Sequence, residues 1–155
     1  MQPITIGYKD YTITTDKSLM IVKDIHQWLS TEGYWCKNIP LDVVQTAFNN
    51  SFCIGILKDG KQIGYARFIT DYSIFAYLAD VFVSEPHRGI GLSKKMMDIL
   101  MNLDWMNGLR VIKLATLDAH GLYEQFGFKK TASESDRNME IIRPNVYGDN
   151  NNPCN

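Results

Sequence analysis

Cysteine is scarce in this chain, and what there is rules out two architectures. Cys36, Cys53 and Cys154 are odd in number and lack Cys-x-x-Cys spacing, so neither a disulfide framework nor a zinc site is indicated. An excess of charge is missing as well. Sixteen Lys and Arg face 17 Asp and Glu, and a formal net charge of −1 offers no general basic field for nucleic acid or an anionic membrane. No stretch approaches the roughly 20 apolar residues of a membrane span. Residues 1–10 have neither the basic start nor the apolar run of a secretory signal, so the expected setting is cytoplasmic. There is no internal repeat and no linker. The expectation is a single domain over 1–147, with the polar run 148–155 too poor in apolar residues to pack and expected to fray.

What is present is a sequence of periodic segments. Tyr11-Thr-Ile-Thr-Thr alternates and reads as the opening strand, with Asp16 and Ser18 as stop and cap signals. Leu19, Val22, Ile25, His26 and Leu29 then share one face at helical spacing, and Gly33 ends that helix. A loop with the adjacent aromatics Tyr34 and Trp35 leads to Pro40, after which Leu41-Asp-Val-Val-Gln-Thr-Ala-Phe begins a second helix. Two β-rich runs, Phe52-Cys-Ile-Gly-Ile-Leu and Gln62-Ile-Gly-Tyr-Ala-Arg-Phe-Ile-Thr, flank the hairpin dipeptide Asp59-Gly60. A third strand from Phe75 to Val83 returns from the Asp71-Tyr-Ser turn. Next come a core helix carrying Ile90, Met96, Met97, Leu100 and Met101, a strand from Leu109, and a short helix capped by Asp118. A turn at Gly127 and a last strand at Met139-Glu-Ile-Ile close the pattern. The order β, α, α, β, β, β, α, β, α, β, β predicts an α+β or mixed α/β sheet domain.

The segment from Leu78 to Met101 organises the rest. A buried strand ending near Val83 passes through a glycine-rich turn into a helix that starts just after Gly91. A helix entered this way presents unpaired N–H groups and the positive end of its dipole, which is an anion site. Arg88, Gly91 and Ser93 fit Arg-x-x-Gly-x-small, in which Gly89 and Gly91 let backbone approach a diphosphate and Arg88 and Lys94 supply charge. Two other glycine loops fail on the same residues. A dinucleotide fingerprint needs a third glycine where Lys94 stands and an acidic residue in the Arg110-Val-Ile-Lys-Leu region. A Walker loop needs Gly-Lys before Ser or Thr, whereas Ser93 precedes Lys94.

The Arg88–Ser93 loop resembles the pyrophosphate loop of the GNAT family of acyl-CoA-dependent N-acetyltransferases. The closing segment Tyr123-Glu-Gln-Phe-Gly-Phe is similar to that family's last motif, and Gly64-Tyr-Ala-Arg-Phe and Ala79-Asp-Val-Phe-Val to its sheet segments. The likeness covers roughly residues 52 to 142; one departure is Ser93, where the family prefers Gly or Ala.

The resemblance implies the GNAT acyl-CoA N-acyltransferase fold, a central mixed, mostly antiparallel sheet of about seven strands flanked by about four helices. It implies acetyl-CoA as cosubstrate, held by Arg88, Gly89, Ile90, Gly91, Leu92, Ser93 and Lys94, with the backbone of Val81, Phe82 and Val83 pairing with the pantetheine arm. It implies transfer to a primary amine by direct attack, with Tyr123 as general acid, and it leaves a homodimer open.

Beside it, the residues themselves offer Asp80 and Glu85 as bases or water-orienting groups and His120 as a proton shuttle, each with a plain surface or strand-end role as the competing explanation. Arg67 either holds an acidic group of the acceptor or pairs with Asp71. Tyr34, Trp35 and Arg67 are the candidate acceptor-binding residues. No metal, nucleic acid or membrane partner is expected. A non-catalytic acyl-CoA-binding sensor or interaction module is the alternative to an enzyme.

Overall fold

Asp59 and Gly60 behave as their composition dictates. Both take positive φ, 49° and 74°, the requirement of a two-residue hairpin turn, and they join β3 (Phe52–Lys58) to β4 (Lys61–Thr70) antiparallel, with Lys58 opposite Lys61. The structure, a computed structural model, describes residues 1–131 and 138–142, so the expected tail at 148–155 lies outside the described residues, as does Cys154.

The chain divides into two compact units. The first comprises Met1–Phe68 and Asp80–Met96, the second Ile69–Ala79 and Met97–Asn155. The first opens on a hairpin, β1 (Thr5–Tyr8) and β2 (Tyr11–Thr14), turned at Lys9 with φ 54°. Only β2 was expected. Every residue of β1 is half-buried or exposed, so this edge strand has no apolar alternation to betray it.

Helix α1 (Val22–Thr31) buries Ile25 and Leu29, and α2 (Leu41–Asn49) buries Val44 and Phe48. These four join Met20, Cys53, Tyr65 and Phe82 in one core cluster. Leu19 is not on the α1 face. It falls in a separate 3-10 turn, Lys17–Leu19, which Asp16 caps by accepting the Ser18 N–H, and its side chain is left 47% exposed.

In the second unit Asp71 organises the turn into β5 (Phe75–Val83). Its Oδ1 accepts the N–H groups of Phe75, Ile74 and Ser73 at 2.8–3.0 Å, and these bonds, Phe75's first, hold its carboxyl below the usual carboxylate range. β5 pairs in parallel with β6 (Val111–Ala115) from Phe75↔Val111 to Leu78↔Leu114, four of its nine residues. β6 in turn pairs with β8 (Asn138–Ile142), which also carries the two-residue β7 (Lys129–Lys130). Among the described residues the strand order is β1-β2-β3-β4-β5-β6-β8-β7, one strand more than the roughly seven expected, mostly antiparallel, with helices α1, α2, α3 (Leu92–Met101) and α4 (His120–Glu124).

Two details of the expected helices change. Ile90 precedes α3 rather than lying on it. Asp118 does not cap α4; the cap position is Ala119, whose N–H is taken by the Thr116 hydroxyl at 3.1 Å. A threonine three residues back can make that bond, and it leaves the Asp118 side chain in solvent.

Candidate active site

Eight residues, 84–91, connect the end of β5 to the first turn of α3. The Ser84 N–H bonds to Ile63 O at 2.8 Å, keeping the end of β5 against β4, and the chain then makes a 3-10 turn over Glu85–His87. Arg88 follows, its Nε donating to Val83 O at 2.7 Å, so the guanidinium is tied to the strand it has just left. Gly89 and Gly91 sit at φ 78° and 88°, a conformation in which any side chain is strained. The first bond of α3 runs from the Lys95 N–H to Gly91 O at 2.9 Å. By helix geometry the N–H groups before Lys95 have no acceptor within the helix.

The β1–β2 hairpin braces this loop at two points and crowds it at a third. Lys9 Nζ donates to Ile90 O at 2.9 Å, the Tyr11 hydroxyl and His87 Nδ1 share a hydrogen bond of 3.0 Å, and the Tyr8 hydroxyl stands 3.1 Å from where a Cβ on Gly91 would be. None of these contacts was visible in the sequence. They join positions some 80 residues apart, and Lys9 and Tyr8 lie in the strand and turn that patterning missed. The donor set fits a diphosphate: two glycines open the backbone, a ten-residue helix points its N-terminus at the loop, and Arg88 and Lys94 bring positive charge with no acid between them.

A second cluster forms in the same unit. The Arg67 Nε lies 2.5 Å from Asp80 Oδ2, and the Trp35 indole N–H donates to Asp80 Oδ1 at 3.1 Å. Arg67 Nη1 donates to the Ser51 hydroxyl at 3.1 Å, and that hydroxyl donates to Ala47 O at 2.7 Å. Arg67 therefore pairs with Asp80, and the Asp71 alternative falls away because Asp71 is engaged by its own turn. Asp80 has φ 54° inside a strand, an outlier that the ion pair and the indole hold in place. Tyr34 packs edge-on against Trp35, with centroids 4.8 Å apart, and both are about half exposed.

Trp35, Arg67 and Asp80 face a cavity of about 160 Å³, walled also by Leu29, Ile39, Val44, Ala47 and Phe48 and by Cys36 and Tyr65. The loop that carries Trp35 and Cys36 is pinned at its far end, where His26 Nε2 and Ile39 O are 3.0 Å apart. Behind Tyr65, its hydroxyl and the Cys53 thiol lie 3.1 Å apart, and burial pushes both groups up. Cys36 is also pushed up, to about 11, by burial first and by the Asp80 charge second. Such a thiol is a poor nucleophile at neutral pH.

Of the expected site residues, Trp35, Arg67 and Asp80 are brought together. Tyr34 reaches the cluster only through Trp35; Arg88 to Gly91 form the turn before α3, and Leu92, Ser93 and Lys94 stand in its first turn. Tyr123 lies in α4 of the second unit, buried, with its ring 5.9 Å from Phe128. His120 opens the same helix, and Glu85 is exposed in the 3-10 turn. Ser51, Tyr65 and the apolar wall carry no sequence signal of their own, whereas Trp35, Arg67 and Asp80 are each candidates from the sequence and only their meeting is new.

The sequence model of the Acetyltransferase (GNAT) family matches residues 22–128. The chain belongs to the GNAT acetyltransferase family. A crystal structure from Xanthomonas campestris pv. campestris, provisionally assigned to the GNAT acetyltransferases, is 47% identical, with a TM-score of 0.77, covering 81% of this chain and 89% of that one. The Gibberella zeae protein FG08082, a provisional acetyltransferase by name, is 29% identical over 77% of this chain and 80% of its own length. The ycf52 protein of Pyropia yezoensis, named as an uncharacterised N-acetyltransferase, is 30% identical over 81% of this chain and 74% of its own. This GNAT protein thus carries the family's mixed sheet and, within one compact unit, a diphosphate-compatible loop and a polar-rimmed cavity.

Proposed function

We propose that residues 1–147 act as one cytoplasmic N-acetyltransferase domain that takes acetyl-CoA at the Arg88–Lys94 loop and acetylates a primary amine of a small molecule or protein. The observation that carries this is the loop itself: two glycines at positive φ, Arg88 tied back to Val83 O, and the start of α3, in a chain of the GNAT family.

Acetyl-CoA supplies the acetyl group as a thioester, so once the ammonium has lost a proton to solvent the amine nitrogen forms a C–N bond as the C–S bond breaks, and the second proton that nitrogen releases balances the one the departing thiolate gains. The chain's residues divide that work. Arg88, Lys94 and the first N–H groups of α3 bind the diphosphate. The backbone of Val81, Phe82 and Val83 lies along the pantetheine arm, and an N–H there polarises the thioester carbonyl, an effect worth about 3–4 kcal/mol. A lysine-like amine arrives protonated, with a pKa of about 10.4, and the Asp80 carboxylate receives that ammonium and takes its proton onward to solvent. Tyr123 gives the proton to sulfur, a role worth about 10²- to 10⁴-fold.

The test is CoA binding by calorimetry together with free-thiol release from acetyl-CoA over a panel of amines, for the full chain and for Tyr123→Phe. The expected result is CoA binding by both proteins, with kcat about 10²- to 10⁴-fold lower in the variant. CoA binding with no thiol release from any amine supports a sensor instead. No heat with CoA ends the proposal.

A further inference from the structure

We infer that the cavity beside Asp80 receives the apolar body of a primary monoamine, an aryl or branched alkyl group about the size of benzene, with the ammonium set against the Asp80 carboxylate. This rests on the acetyl-transfer reading, because it names the acceptor for that reaction.

Size comes first. A volume of about 160 Å³ is close to the roughly 150 Å³ of an apolar cavity that binds benzene. It is too small for a sugar ring carrying its hydroxyls and their water.

The chemistry of the wall points the same way. The side chains of Leu29, Ile39, Val44, Ala47 and Phe48 carry only carbon. The polar atoms that also border the cavity already have partners: Cys36 Sγ lies 3.4 Å from Leu29 O, and the Tyr65 hydroxyl is with Cys53. A hydroxyl or second amine of a ligand pushed into this wall would lose its water and gain little in return.

Charge fixes the polar end. The lining holds one carboxylate and one guanidinium, which sum to zero, so nothing there attracts a polycation. Each oxygen of Asp80 accepts one bond, from Arg67 and from Trp35, and a carboxylate oxygen has room for a second donor. One ammonium is what that capacity suits. The φ of 54° at Asp80 adds a further reason, since a strained carboxylate held by two donors marks a placed group rather than a strand filler.

The experiment compares 2-phenylethylamine, methylamine and spermidine on the full chain with acetyl-CoA, and measures 2-phenylethylamine binding to the CoA-loaded chain by calorimetry. The expected kcat/KM for 2-phenylethylamine exceeds that for methylamine by about 100-fold or more, and spermidine gains nothing from its extra charges. Ala47→Leu fills the cavity and should cut the ratio between the two monoamines at least about tenfold. Ile39→Ala enlarges it and should shift preference towards 2-(1-naphthyl)ethylamine, a gain that a damaged fold would not produce. Equal turnover of the monoamines, a preference for spermidine, or a ratio unmoved by both variants overturns this inference and leaves acetyl transfer standing. If no amine is acetylated, the transfer reading fails, and calorimetry still decides the cavity: aryl amine binding that Ala47→Leu abolishes supports it, and absent binding overturns it.

Discussion

The Ser84–Ser93 loop and the cavity beside Asp80 lie in the same compact unit and are built in opposite ways. The loop from Ser84 to Ser93 is one continuous stretch whose pattern lies in its own residues, a strand end, an Arg that turns back on it, two glycines and a helix start, with the β1–β2 hairpin bracing it from outside. The cavity draws Leu29 from α1, Trp35 and Cys36 from a connecting loop, Ala47 from α2, Arg67 from β4 and Asp80 from β5. The first can be recognised wherever its pattern occurs, because the common chemistry of a diphosphate needs only local backbone. The second exists only when five elements are folded, and its shape varies with each of them. A family can therefore keep one donor while its acceptors differ.

The sharpest way to break this contrast is at Gly91. Gly91→Val meets two obstacles, the strain of an L-residue at φ 88° and the Tyr8 hydroxyl 3.1 Å from the new Cβ. CoA affinity should fall more than about tenfold, and stability by about 1–2 kcal/mol, read by calorimetry and by urea midpoint. Gly89→Ala has nearly the same φ and nothing within 4 Å of its Cβ, so it isolates strain from collision and should cost less. If both variants bind CoA like the parent, the loop's local geometry is not what holds the donor.

That asymmetry also explains what could be read before folding. Asp59-Gly60, Phe75–Val83 and the Gly91 start of α3 were legible because each is specified by neighbours in sequence. The β1 edge strand was not, since a strand whose residues are all exposed or half-buried shows no alternation. Nor was the cap of α4, where Asp118 and Thr116 are equally good candidates until the backbone places the Thr116 hydroxyl on the Ala119 N–H. At the site, Arg67 and Asp80 could each be noticed as a charge in an apolar strand. Their pairing across 13 residues, with Trp35 as third member, needed tertiary structure.

A smaller effect sharpens the other side. Asp80→Asn keeps an acceptor for the Trp35 indole and a residue that tolerates positive φ, and it removes only the charge facing Arg67. The two side chains are 16% and 12% exposed, so the remaining guanidinium is left largely buried without its partner, and unfolding free energy should drop by about 1–3 kcal/mol. CoA affinity should stay within about twofold, because the loop's integrity does not depend on the pair. Asp80→Gly makes the comparison cleaner: it loses the same ion pair and relieves the backbone, so it should be the less damaging of the two if strain is stored there. A CoA affinity that falls in step with stability would mean the two regions are one cooperative unit rather than separable parts.

The finest distinction is whether the cavity is dry, and Cys36 reports it. Burial disfavours its thiolate and the Asp80 charge disfavours it further, against a smaller opposing pull from Arg67, which carries the thiol from an ordinary value of 9.0 to about 11. The sign is definite: below that value the thiolate fraction rises about tenfold for each pH unit, so alkylation of Cys36 by iodoacetamide should climb about tenfold from pH 8 to 9 and again from 9 to 10. Mass spectrometry of the peptide containing Cys36 separates it from the other thiols. In a water-filled cavity the thiol would titrate near its ordinary value, and the rate would already be levelling off by pH 10. A ligand with an aryl group should slow the reaction at every pH by occupying the same space, whereas CoA alone, held by the loop, should leave the steepness of the curve as it was.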